Sequence, residues 1–154
     1  MLAPDAYDPP SVWALKLRAL EADGALDEAR SGLGLVPAER LRALPCDRDF
    51  LGSLGGLVRV ALRLGARDYV EVLYELLSPY PEYFAVNMSG ACEGSVSLLL
   101  GRMARFIGHT QLAAKHFDDA VLFSESAKMT RCAVEARAER GSAAVEMASA
   151  YVSQ

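Results

Sequence analysis

Apolar positions recur along this chain with a helical rather than an alternating period. Leu51, Leu54, Val58, Ala61 and Leu62 form one stripe, and Val96, Leu99, Leu100, Met103 and Ile107 form another at i, i+3, i+4 spacing. Trp13, Leu17 and Leu20 mark an earlier helix, with Ser11 as its N-cap and an end near Asp23. A short helix follows from Leu26 to about residues 32–34. Pro37 then opens a turn over residues 38–44 that Pro45 closes. Asp47 or Asp49 is the expected cap of the long helix that ends at Leu64. Asp68 opens a partner helix with Tyr69, Leu73, Leu76 and Leu77 inward. Ser95 caps the next helix, and behind a cap at Thr110 a further one runs to about Ala127 with Ala113, Phe117, Ala120 and Val121 inward. The Ala-rich tail over residues 130–152 reads as a helix bent at Gly141. Residues 1–10, with Pro4, Pro9 and Pro10, form a leader, and residues 11–154 form a single all-α domain.

Three glycines share one role. Gly24, Gly65 and Gly108, separated by 41 and 43 residues, each divide a longer apolar helix from a second amphipathic one. Five positions beyond them stand Ala29, Val70 and Ala113; nine beyond stand Leu33, Tyr74 and Phe117; four before stand Leu20, Ala61 and Ala104. Glycine suits the left-handed turn between antiparallel helices, and a small residue one turn away lets the backbones approach. The pattern predicts an α–α superhelix of about three tetratricopeptide-like hairpins. Their period exceeds the roughly 34 residues of the standard repeat because the linkers are long. The second linker, residues 78–94, holds Pro79, Pro81, Asn87, Gly90 and Gly94 and reads as a loop or short extended hairpin. A connection of this length is often functional.

Several segments carry a family resemblance: LPCDRDFL over residues 44–51, ALRLGAR over 61–67, LYELLSPY over 73–80, GACEGSV over 90–96 and AKHFDDA over 114–120. Together they resemble the C-terminal tetratricopeptide-like region of large bacterial P-loop ATPase regulators and ATPase-linked nucleotide cyclases, over about residues 12–140. The resemblance implies a helical sensor or protein-interaction scaffold rather than a catalytic domain. The chain departs from the family in residues 85–89, where more glycine is usual, and at Glu93, where an aromatic is frequent. It also lacks a P-loop, a cyclase segment and a DNA-binding helix pair, as either a freestanding descendant or an excised piece of the scaffold would.

Composition narrows the function classes. Apolar residues make up 52% and charged residues 23%, which marks a globular chain. A net charge of −4 without a basic stripe argues against nucleic-acid binding. No apolar run approaches a membrane span, and the N-terminus lacks a signal-peptide pattern, so a cytoplasmic, membrane-free location is expected. Cys46, Cys92 and Cys132 form no C-x-x-C pair and read as reduced thiols.

Chemical motifs are sparse. His109 and His116 lie two turns apart, too far to share a metal, so no metal or cofactor is expected. Glu71 and Glu75 share a helical face that reads as solvated. The best candidates for ligand or partner binding are Tyr74, Tyr80, Tyr83, Phe84, Asn87, Glu93 and His116, because amphipathic aromatics crowd into the stretch leading into the 78–94 linker and a carboxylate stands between Cys92 and Gly94 near its end. Two functions fit. One is a regulatory scaffold that engages a protein partner or a small apolar effector and pairs as a homodimer to cover its apolar ends. The other is a small pathway enzyme or ligand carrier with an apolar inter-helix pocket, served by His116, Glu93 and Tyr80.

Overall fold

The computed structural model describes residues 3–5 and 7–152; Met1, Leu2 and Ala6 of the leader, and Ser153 and Gln154, lie outside the described residues. The chain is all-α. Its elements are α1 (Pro10–Ala22), α2 (Leu26–Leu33), a 3-10 helix (Ala38–Ala43), α3 (Phe50–Leu64), α4 (Arg67–Leu77), β1 (Phe84–Val86), β2 (Cys92–Ser95), α5 (Val96–Ile107), α6 (Thr110–Ser126) and α7 (Thr130–Val152). α1 packs on α2 and α3, α3 on α4 and α5, α4 on α5, α5 on α6, and α6 on α7. No described helix is long and apolar enough to cross a membrane.

The glycine turns have the expected chemistry. Gly24, Gly65 and Gly108 are left-handed, with φ of 78°, 66° and 103°. The N–H groups of Ala25, Ala66 and His109 donate back to the carbonyls of Leu20, Ala61 and Ala104 at 2.8–2.9 Å. That bond closes the last turn of each helix and satisfies a carbonyl left without a helical partner. A fourth turn of the same kind joins α6 to α7. There Lys128 takes the left-handed position at φ 57°, and Met129 N–H donates to Ser124 O at 2.9 Å. The glycine pattern could not reveal it, because the turn holds a residue that pays a steric cost of about 1 kcal/mol in this conformation.

The small residues beside the turns are buried as expected: Ala29, Val70, Ala61, Ala104 and Ala113 are at most 1% exposed. Burial separates into two clusters. The larger spans α1 to α5 and is built from large side chains such as Trp13, Leu17, Leu54, Leu73 and Leu77. The smaller lies among α5, α6 and α7 and is mostly alanine around Leu98, Phe117 and Val121. Tyr74 packs against both.

Some boundaries differ from the sequence expectation. α1 begins at Pro10, with Pro9 rather than Ser11 at the N-cap, because proline at the first helical position loses no hydrogen bond there. His109, not Thr110, precedes α6. Asp49 stands at the N-cap of α3 without a side-chain cap bond, and Asp68 sits inside the first turn of α4. Ser95 does cap α5, its hydroxyl accepting from Leu98 N–H at 3.3 Å. α7 is continuous through Gly141, whose exposed position requires no bend.

Candidate functional site

The 78–94 linker folds into an antiparallel hairpin with Phe84 opposite Ser95 and Val86 opposite Cys92. Asn87 shapes its turn. The Asn87 side-chain oxygen accepts from the Ser89 and Ala91 backbone N–H groups, both at 3.0 Å, and from the Ser89 hydroxyl at 2.6 Å. Such an Asx arrangement replaces the strand ladder at the turn. Asn87 therefore acts on its own backbone.

The hairpin is seated on a glycine face of α3. A Cβ on Gly52 would overlap the Val86 carbonyl, and one on Gly55 would come within 2.7 Å of the Ala85 methyl. Only glycine permits this approach, so the glycine content of α3 reflects docking rather than a weak helix. The same contact buries Glu93 to 7% exposure. Its carboxylate faces Arg18 of α1 at 3.4 Å and Arg59 of α3 at 3.7 Å, so one charge ties the hairpin to two helices. Arg18 also pairs with Glu21. Removing either cation would leave the buried carboxylate without part of its compensation.

The remaining candidates occupy separate places. Tyr80 makes edge-to-face contacts with Phe50 and Tyr83, at centroid distances of 6.1 and 6.0 Å, and its hydroxyl lies 3.6 Å from the Cys46 thiol. Phe84 stacks on Phe123 of α6 at 4.8 Å. Tyr74 and His116 hydrogen-bond at 2.8 Å across α4 and α6. Burial pushes the Tyr74 hydroxyl above its usual range. Burial likewise holds His116 below the usual histidine value against the field of Asp119, with Lys115 adding to the depression. His116 thus has the partner that its helical position alone did not reveal. Glu71 pairs with Arg67 and Glu75 with Arg42, both at the surface. Among the described residues no cluster of three or more potential ligands suits a metal ion.

Geometry therefore does not gather Tyr80, Glu93 and His116 into one pocket. Burial and the neighbouring Cys92 push the Cys132 thiol up to about 11, which removes it as a nucleophile near neutral pH.

The concavity of most chemical interest lies elsewhere. A half-open cleft of ≈ 480 Å³ sits between the leader, the start of α1 and residues 35–44. Trp13, Leu35, Val36, Pro37 and Leu44 give it apolar walls, with Asp8 and Arg40 at its edge. The apolar pattern marked Trp13 only as one side of a helical stripe and Pro37 as a turn opener; in the fold Pro37 stands at the N-cap of the 3-10 helix, and both residues line the cleft. No family model, curated protein or solved structure matches the chain.

Proposed function

We propose that this protein is a cytoplasmic, regulatory binding scaffold of the tetratricopeptide kind, a superhelix of about three hairpins that engages a protein partner through its β-hairpin. The observation that carries this reading is a rigidly held apolar edge. Val86 and Met88 on the hairpin are 43% and 47% exposed, and Leu15 of α1, which lines the same crevice as Met88, is 38% exposed. Buried Glu93 and the Gly52 contact fix this edge in place, so a partner would meet it with little ordering cost. The resemblance to scaffold regions of ATPase-linked regulators agrees with a partner-binding role. α7 also leaves Val134 and Val145 exposed, eleven residues apart and so on one side of the helix, a face suited to a second copy of the chain.

The test is quantitative affinity capture from the native cytoplasm with three baits. The parent and a Leu122→Ser control should retain the same partner, and a Val86→Ser/Met88→Ser double variant should lose it. Equal capture by all three baits would remove the hairpin edge from the account.

The cleft beside Trp13 favours a second reading, a carrier or sensor of a small apolar ligand. Its size falls within the usual range for small-molecule sites, and its walls combine apolar side chains with a comparable polar share that includes Tyr7, Asp8 and Arg40.

A further inference from the structure

We propose that the cleft between the leader, α1 and residues 35–44 binds a small amphiphilic carboxylate, an aliphatic or aromatic monoacid. This deepens the second reading above and rests on it.

The argument turns on which charges at the cleft are already matched. Asp8 lines it, but both its carboxylate oxygens accept from Lys16 Nζ, at 2.8 and 2.9 Å, and one also accepts from Asp5 N–H. That charge is neutralised in place. Arg40 lines the cleft as well, yet it has no ion pair or side-chain hydrogen bond among the described residues. Its neighbour Arg42 is taken by Glu75 at 2.6 Å. Glu39 is adjacent in sequence but does not line the cleft, and its field acts on Arg42 and Tyr69. The cleft is left with one unmatched guanidinium.

The apolar part is equally specific. Trp13 is fixed by its indole N–H, which donates to Gly32 O at 3.1 Å, so its one polar atom is satisfied away from any ligand. The side chains of Leu35, Val36 and Leu44 carry no polar atoms. A ligand here gains from apolar contact over its body and from one anionic end. A carboxylate matches the planar fork of arginine in two parallel hydrogen bonds. A dianion would leave one charge unmatched beside Asp8.

Trp13 is the only tryptophan of the chain, so its emission reads the cleft directly. The probes are sodium octanoate and 1-octanol, which share an apolar body and differ in charge. Octanoate should give a saturable emission change at lower concentration than octanol. Arg40→Gln should weaken octanoate about tenfold and leave octanol unchanged. Arg40→Lys should recover part of the loss. Equal binding of both probes, or an Arg40→Gln variant indifferent to the charge, would overturn the carboxylate while leaving an apolar carrier standing. No saturable response to either probe would overturn the carboxylate and the carrier together. Neither result touches the hairpin edge, whose capture experiment is separate.

Discussion

The two cores of this protein are built from different materials. From α1 to α5 the interior is mostly leucine and valine, with Trp13, Phe50 and some alanine, and the long linkers between helices fold back to cover it. Among α5, α6 and α7 the interior is mostly alanine, the connections are tight left-handed turns, and charge takes part in the packing. Glu139 of α7 accepts from Arg102 and Arg105 of α5, each at 2.7 Å. Arg105 also lies 5.4 Å above the Phe117 ring. Alanine lets helices approach but buries little area, so the second core leans on these ion pairs while the first leans on apolar burial. The same difference decides where binding surfaces arise. The α6–α7 turn carries only a shallower, smaller hollow of ≈ 290 Å³ beside Lys128, whereas the long linkers form the hairpin edge and the Trp13 cleft.

The largest test strikes the first core. Leu54→Ala, at a fully buried site, should cost about 3 kcal/mol in urea unfolding. An effect below about 1 kcal/mol would show that this core is loosely packed.

The second core should answer to charge and pH. Burial works against the Glu139 charge, but Arg102 and Arg105 outweigh it and hold the carboxyl below its usual range. A carboxyl depressed by folding stabilises above its unfolded value near 4.5 and loses that contribution as pH falls through the folded value. Glu139→Gln should therefore cost about 2 kcal/mol at pH 7, and the difference from the parent should shrink below pH 4.5. His116 adds an earlier loss. Its folded value lies below 6.5, so the unfolded chain binds the proton first, and stability falls as pH drops below 6.5 toward the folded value. His116→Gln should remove that early slope in thermal unfolding between pH 7 and 5, and an unchanged slope would assign it to other groups.

Smaller gains are available at the α6–α7 turn. Ser124 occupies the small-residue place held by Ala61 and Ala104 before the earlier turns, and its buried hydroxyl has no hydrogen-bond partner among the described residues. Ser124→Ala should stabilise by about 1 kcal/mol. Lys128→Gly should add about 0.5 kcal/mol by relieving the left-handed backbone, net of the freedom glycine gains when unfolded. Additive gains in a thermal scan would support both assignments; a destabilised Ser124→Ala would mean the hydroxyl is satisfied in solution.

Much of this was legible in the sequence because its cause is local. Helical stripes, proline stops and the left-handed glycines are decided within one turn of chain, and they placed the helices to within a few residues. The fourth turn escaped because Lys128 breaks the glycine pattern, although Ser124 and Ala133 keep the small residues around it. The candidate residues were found as a crowded segment, but their partners lie far along the chain. Glu93 meets Arg18, Phe84 meets Phe123, and Tyr74 meets His116, and no periodicity encodes those meetings. The glycines of α3 were the one available signal for the seated hairpin. Their contribution is steric clearance on the helix face, which an apolar-stripe reading treats as neutral.

Native-state hydrogen exchange tests the two-core account most directly. If apolar burial holds α3 and α4 and ion pairs over alanine hold α7, the amides of α7 should open at a lower free energy than those of α3, and Glu139→Gln should lower only the former. A single common opening energy for α3 and α7, moved equally by Glu139→Gln, would show one cooperative core and contradict the account.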